Sequence, residues 1–140
     1  MNTFHFEIVS PEGIVYTDEV DEVLLPTQKG EIGIFPHHVP LFTKLCEGEV
    51  RIKKGREYTS VAINGGFVEV DKTKVMVLSD YAVRADTIEI AHAEEAKRQA
   101  QKLLAEKHSE EDFTLISKDL QRALLELKVA EKVRNRQRSS

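Results

Sequence analysis

The sequence predicts an α+β protein: an N-terminal antiparallel β-sandwich of about ten short strands, followed by a C-terminal antiparallel hairpin of two helices. All seven glycines and all four prolines lie within the first 66 residues. Because both residue types punctuate turns, the chain should change direction often there and seldom afterwards. Residues 1–86 carry 9 basic against 14 acidic side chains, whereas residues 87–140 carry 11 against 10. We therefore predict two domains, residues 1–86 and 87–140.

Alternating apolar residues indicate the strands of the first domain. Phe4, Phe6 and Ile8 alternate with their neighbours at the period of a half-buried strand. The same alternation recurs at Val50 and Ile52, Val61 and Ile63, Val68 and Val70, and Val75 and Val77. Turn signals occur at residues 11–13, 28–30, 47–48, 54–55 and 64–66. Short strands with turns at this spacing are typical of a sandwich or a flattened barrel.

The second domain has the periodicity of amphipathic helices. Asp86 or Thr87, followed by Glu89, predicts a capping box for the first helix, and Ser109 or Asp112 predicts the N-cap of the second. The predicted apolar stripes are Ile90, Ala93, Ala96, Ala100 and Leu103/Leu104, then Ile116, Leu120, Ala123, Leu124, Leu127 and Val133. The short polar break between the helices favours an antiparallel hairpin. Because buried alanine contributes little stability, this hairpin should open at modest cost.

Composition and charge exclude several classes of protein. No apolar run approaches the roughly 20 residues that a membrane-spanning helix needs. The net charge of −4 argues against nucleic-acid binding. The single cysteine, Cys46, excludes an internal disulfide and a cysteine-based zinc site. The first residues have neither a basic start nor an apolar stretch, so we expect no export signal.

The sequence contains no convincing catalytic constellation. The neighbouring residues His37 and His38 invite a metal or catalytic interpretation, but adjacent side chains of an extended segment point in opposite directions. The turn at residues 30–33 lacks the lysine and hydroxyl residue that end a P-loop. We therefore predict no catalytic residues and no metal ligands. A β-sandwich metalloenzyme centred on the two histidines remains the alternative from a different class.

The C-terminal end of the second predicted helix is strongly basic. Its cations are Lys128, Lys132, Arg134, Arg136 and Arg138, and only Glu131 opposes them. Cations at a helix C-terminus complement the helix dipole, each by about 0.3–1 kcal/mol. An acidic partner surface would account for the same cluster. Both interpretations stay open at this point.

Three stretches resemble the epsilon subunit of bacterial F-type ATP synthase: LPTQKGEIGIFPHHVPL at residues 25–41, INGGFVEV at residues 63–70 and EAKRQA at residues 95–100. The resemblance extends from Phe4 to about Val133. It implies a non-catalytic rotor subunit of the central stalk that couples ion flow to ATP synthesis and inhibits ATP hydrolysis through its C-terminal helices. The implied partners are the gamma subunit, the c-ring and the alpha and beta subunits. The implied location is the cytoplasmic face of the bacterial membrane, with membrane contact only through partner subunits.

The resemblance also implies roles for individual residues. By motif position, Glu31 would face the c-ring and His38 would lie near the gamma contact. The residues that match the inhibitory helix, and would contact acidic loops of the beta subunits, are Arg122, Lys128, Lys132 and Arg134. A purely structural rotor adaptor without an inhibitory role is the alternative with the same fold.

Some members of this family bind ATP at the hairpin through an Ile/Leu-Asp-x-x-Arg-Ala motif. The corresponding residues here are Ile88, Glu89, His92 and Ala93. A histidine is mostly neutral at pH 7, so His92 cannot replace a guanidinium as a permanent cation. We expect weak ATP binding or none, and no other cofactor.

Overall fold

A computed structural model of the chain describes residues 2–139. It divides into two compact units, the first ending at Asp86 and the second beginning at Thr87. Within the described residues the first unit has eight strands: β1 (Phe4–Ser10), β2 (Gly13–Val20), β3 (Glu22–Thr27), β4 (Gly30–Ile34), β5 (Leu41–Lys54), β6 (Glu57–Val70), β7 (Lys74–Leu78) and β8 (Ala82–Arg84). A 3₁₀ turn (Ala85–Thr87) precedes the helices α1 (Ile90–Leu104) and α2 (Glu110–Ser139).

Hydrogen bonds join the strands in the order β2–β1–β7–β6–β5–β3–β4, and β8 pairs with β6. The pairs are antiparallel except for β1 with β7. The long strands β5 and β6 pair over nearly their whole length, while β7 pairs with the second half of β6 and β8 with its first half. The β5–β6 hairpin therefore belongs to both layers of a sandwich, one with β7, β1 and β2, the other with β8, β3 and β4.

The interior of the sandwich is apolar and receives side chains from both layers. Its largest fully buried members are Phe6, Ile8, Leu25, Ile34, Leu45, Ile52, Ile63, Val20, Val23, Val50 and Val61. Burying a side chain of this size stabilises the fold by about 1.5–3 kcal/mol. The alternation that predicts strands in the sequence is thus the alternation between this core and the outer faces of the sheet.

The predicted fold class is confirmed, but the predicted number of about ten strands is wrong. Residues 47–48 and 64–66, which the sequence indicates as turns, lie inside the 14-residue strands β5 and β6. Their glycines serve close packing instead of chain reversal. Gly48 lies beside the ring of Pro26. At Gly66, whose φ is 140°, an added Cβ would come within 2.0 Å of the Leu78 carbonyl oxygen.

The helix starts differ from each other in how they are capped. Glu89 is the N-cap of α1 and forms no side-chain capping bond, so the capping box predicted at residues 86–89 is wrong. Asp86 lies instead in the preceding 3₁₀ turn. The predicted cap of α2 at Ser109 is confirmed, because its hydroxyl oxygen accepts a hydrogen bond from the Asp112 amide at 3.2 Å.

The two helices pack against each other. The first predicted stripe is confirmed at Ala93 and Ala100, which are buried. It is wrong at Ala96 and Leu103, which are exposed. In α2 the predicted stripe is wrong at Leu124, which is exposed; the buried residues are Ala123, Leu125, Val129 and Ala130. Since α2 has 30 residues and α1 has 15, α1 cannot cover the whole length of α2.

A polar cluster around His5 joins three strands on the outer face of the first layer. The imidazole lies 2.9 Å from Glu7 Oε1 and 2.8 Å from Glu19 Oε2, and Lys74 Nζ lies 3.5 Å from Glu7. The hydrogen bonds to Glu7 and then Glu19 raise the pKa of His5 above its usual 6.5. The protonated imidazole in turn lowers the pKa of Glu7.

We predict that His5 stabilises the sandwich more at pH 5.5 than at pH 8. Because its folded-state pKa is raised, the contribution is fully present below the unfolded value of 6.5 and is lost as the pH rises through the folded value. An NMR titration of the full chain should place the His5 midpoint above 6.5. Glu7→Gln should lower that midpoint more than Glu19→Gln. An unshifted His5 midpoint would show that the cluster does not form in solution.

We predict that Gly66→Ala destabilises the sandwich more than Gly13→Ala. Both glycines have positive φ, but a Cβ at Gly13 meets nothing within 4 Å. Gly13→Ala should therefore cost only the backbone strain of about 1–3 kcal/mol. Gly66→Ala should cost a further 1–3 kcal/mol or so from the steric clash. Urea unfolding followed by tyrosine fluorescence measures both, since all three tyrosines lie in residues 1–86; equal losses would contradict the close approach.

Candidate protein-docking surfaces

A row of apolar side chains crosses five strands on the outer face of the first layer. Val9 pairs with Ile14 and with Leu78, and Leu78 pairs with Phe67. The Phe67 ring stacks on Phe42, with centroids 5.6 Å apart and planes 18° apart. Four of these side chains are markedly exposed: Ile14 at 62%, Leu78 at 43%, Phe67 at 45% and Phe42 at 65%. We call these five residues the apolar row.

The apolar row follows from strand alternation and one β-bulge. The neighbours Ile8, Val68 and Val77 point into the core, so the residues beside them face outward. The register shift between Ile8 and Val9 brings Val9 opposite Ile14. Contiguous exposed apolar surface usually marks an interaction site. Sequence reasoning missed the row, because it identifies alternating residues without telling which strands become neighbours.

The loop that carries His38 leads directly into the apolar row. It joins β4 to β5 and contains Pro36 and Pro40, and His37 has a left-handed backbone with φ 65°. His38 is half-buried, and its Nδ1 donates a hydrogen bond to the Val39 carbonyl oxygen at 2.7 Å. Val39 itself is 73% exposed. The loop thus extends the apolar surface with a stiffened segment.

Glu31 occupies a different surface, on the edge strand β4. Its carboxylate is exposed, and it pairs in register with Pro26. Gly33, in the same strand, presents no side chain, and the Phe35 ring lies 3.2 Å from the position that a Cβ of Gly33 would occupy. Glu31 is therefore an accessible carboxylate beside small, apolar neighbours. Strand pairing does not place Glu31 beside His38 or beside the apolar row.

The four basic residues predicted for α2 do not share one face of the helix. Lys128 and Lys132 are one turn apart and both exposed, whereas Arg134 is exposed on another side. Arg122 is half-buried. Glu110, Glu111 and Asp112 stand in the first turn of the helix and Arg136 and Arg138 in its last. The helix therefore presents an acidic start and a basic end, both of which complement its dipole.

The four residues of the nucleotide motif straddle the start of α1. Ile88 and Glu89 precede the helix, whereas His92 and Ala93 lie in its first turn. Ala93 is buried, and Glu89 and His92 are exposed. An exposed carboxylate and an exposed histidine supply no permanent cation for a triphosphate.

The two adjacent histidines lie in a loop without a surrounding donor set. In the described part of the chain, residues 2–139, no group of three or more histidine, cysteine, aspartate or glutamate side chains is placed to hold a metal ion. The metalloenzyme alternative therefore has no ligand set among these residues. Cys46 is half-buried within β5. Among the described residues, neither α1 nor α2 combines the length and the apolar composition that a membrane-spanning helix requires.

Comparisons with known proteins agree with the two-unit architecture. Residues 3–85 match the family model of the ATP synthase delta/epsilon chain β-sandwich domain, and residues 86–131 match that of its long α-helix domain. The ATP synthase epsilon chain of Desulforamulus reducens is 40% identical over 129 residues, covering 92% of this chain and 98% of that relative.

Two solved structures share the fold. A chain of the Euglena gracilis mitochondrial ATP synthase (OSCP/F1/c-ring) matches at a TM-score of 0.64 and 17% identity, covering 96% of this chain and 81% of that one. A chain of the Tetrahymena thermophila enzyme (central stalk and c-ring) matches at a TM-score of 0.52 and 12% identity, covering 60% and 68%. The resemblance found in the sequence is confirmed by the family models and the relatives. The chain belongs to the delta/epsilon chain family of ATP synthase, as an epsilon chain.

Proposed function

We propose that this chain is a rotor subunit of the central stalk of an F-type ATP synthase. It couples ion flow through the membrane sector to ATP synthesis, inhibits ATP hydrolysis through its C-terminal helices, and is itself non-catalytic. The observation that carries the proposal is the apolar row, since a rotor subunit needs a large, stiff surface for its neighbour in the stalk. The two similar structures are ATP synthases, one described with OSCP, F1 and the c-ring and the other with the central stalk and the c-ring, which supports the same role.

The gamma subunit is the proposed occupant of the apolar row and of the loop around His38. Stacked aromatic side chains such as Phe42 and Phe67 are rigid and lose little entropy on binding. The two prolines of the loop fix its backbone in the same way. A contact that transmits torque has to resist deformation, and this surface lies on the paired strands of a sandwich.

The c-ring is the proposed partner of the surface around Glu31. The carboxylate is exposed on an edge strand whose neighbours Gly33 and Pro26 leave it accessible. Such a group fits a cationic or hydrogen-bond-donating loop of a partner. The chain would thus meet the membrane only through partner subunits, at the cytoplasmic face of a bacterial membrane.

The helical hairpin is the proposed regulatory element, with the alpha and beta subunits as its partners. Helix α2 is about 45 Å long at 1.5 Å per residue, enough to reach into a neighbouring subunit. The buried residues of α1 are the alanines Ala93 and Ala100, so separating the helices costs little. The exposed pair Lys128 and Lys132 fits acidic loops of a beta subunit. ATP sensing is not part of the proposal.

The rotor adaptor without an inhibitory role is the competing function, and one experiment separates the two. The chain is added in increasing amounts to a catalytic head that lacks epsilon but retains gamma. The rate of ATP hydrolysis is measured at each concentration. We expect a saturable fall in rate with the full chain and no fall with residues 1–86, which should still bind. Binding without inhibition by the full chain would favour the adaptor. Failure to bind would contradict the rotor function.

The basic pair of α2 provides a sharper version of the same measurement. The variant Lys128→Gln/Lys132→Gln should inhibit less than the native chain because it loses the two cations that share an exposed face. The matched control Lys102→Gln/Lys118→Gln removes the same charge from other exposed positions of the hairpin. Equal loss of inhibition in both variants would mean that net charge, and not the basic face, is responsible.

We predict that Phe67→Ala weakens binding to the gamma-containing head by about tenfold or more, the effect of losing an aromatic hot spot. The control Tyr58→Ala removes another exposed aromatic side chain, which contacts Arg51 and lies outside the apolar row. Binding is measured by titration, and circular dichroism verifies folding. If Tyr58→Ala weakened binding and Phe67→Ala did not, the gamma contact would lie elsewhere on the sandwich.

A further inference from the structure

The last strand of the sandwich, β8, is short but held firmly at its start. It pairs with β6 through three residues, Ala82, Val83 and Arg84. Just before it, the Tyr81 amide donates to Asn64 Oδ1 and the Asn64 amide donates to the Tyr81 carbonyl oxygen, both at 3.1 Å. The chain therefore enters β8 through a reciprocal pair of hydrogen bonds.

The end of β8 is held by a different contact, which reaches the opposite layer. The Arg84 guanidinium carbon lies 5.6 Å from the centroid of the Tyr16 ring in β2. Tyr16 is buried and packs against Phe6, with ring centroids 6.1 Å apart. A guanidinium over an aromatic face is attracted by the negative charge of that face. Arg84 also lies 3.6 Å from Asp86 through its Nε.

Beyond Asp86 the backbone conformation changes. The 3₁₀ turn ends at Thr87, and Glu89 is extended, with φ −94° and ψ 108°. The helical bonds of α1 begin with the Ala93 amide donating to the Glu89 carbonyl oxygen at 3.0 Å. An extended residue at the end of an element is where a hinge can absorb changes in φ and ψ.

We propose that Arg84 is a positioning residue that fixes the point at which the chain leaves the sandwich, so that the helices move by rotation at Glu89 and not by detachment of β8. This inference rests on the regulatory function proposed above. If β8 detached, residues 82–86 would join the tether to the helices and lengthen it by about 17 Å. A longer tether changes the effective concentration of the helices at their target.

Amide hydrogen exchange of the full chain, followed by NMR, tests the anchor directly. In Arg84→Ala the amides of β8 should exchange about two- to fivefold faster, whereas those of β1 and β7 should be unchanged. Arg84→Lys, which keeps the charge, should show a smaller effect. The control Arg56→Ala removes an exposed arginine from the β5–β6 turn and should leave β8 unchanged. The midpoint of thermal unfolding should fall by no more than about 4 °C in each variant.

Inhibition of the catalytic head tests the consequence of the anchor. At a saturating concentration of the added chain, Arg84→Ala should inhibit ATP hydrolysis less completely than the native chain. Arg84→Lys should recover most of the difference in inhibition. Unchanged exchange in Arg84→Ala overturns the anchor. Faster exchange with full inhibition overturns the link to the helices. If the native chain does not inhibit, the regulatory function fails, and the exchange rates still decide whether Arg84 holds β8.

Discussion

The long β5–β6 hairpin is the constraint on which the rest of the sandwich depends. Each strand runs through both layers, and at Gly66 an added Cβ would come within 2.0 Å of the Leu78 carbonyl oxygen, so β6 can pass this point only with glycine. β7 pairs with β6 next to that point, and β8 pairs with the other half of β6. A glycine that sequence patterns assign to a turn thus permits the close backbone approach where β7 ends beside β6.

The same hairpin also supplies the central part of the candidate docking surface. Phe42 and Phe67 come from β5 and β6, and their rings stack as diagonal neighbours, since Phe42 lies opposite Glu69 and Phe67 opposite Lys44. Phe67 faces outward because its neighbour Val68 points into the core, and Phe42 shares that outer face because Thr43, beside it, pairs with Val68. The surface is therefore as stiff as the sheet beneath it. The binding prediction for Phe67 tests the contribution of this stacked ring.

Sequence patterns predicted the fold class because alternation and helical periodicity are local properties of the chain. They overestimated the strand count, since glycine marks both turns and close backbone approach and only tertiary structure distinguishes the two. Sequence patterns could not predict the apolar row, because Ile14 and Phe42 become parts of one surface only through the strand order. The role of Glu31 stays a prediction, since it came from motif position and needs a partner to be tested.

The two units differ in the way a coupling and regulatory subunit would require. The sandwich is held by large side chains such as Phe6 and Ile8, whereas alanines such as Ala93 and Ala100 contribute much of the buried surface of α1. The free-energy cost of a local movement is therefore lowest in the helices and in the segment before them, and highest in the sandwich. Arg84 stands at that division and joins the last strand to the core through Tyr16. If the anchor holds, a movement of the helices leaves the apolar row undisturbed, so the proposed regulation would not loosen the proposed contact with gamma.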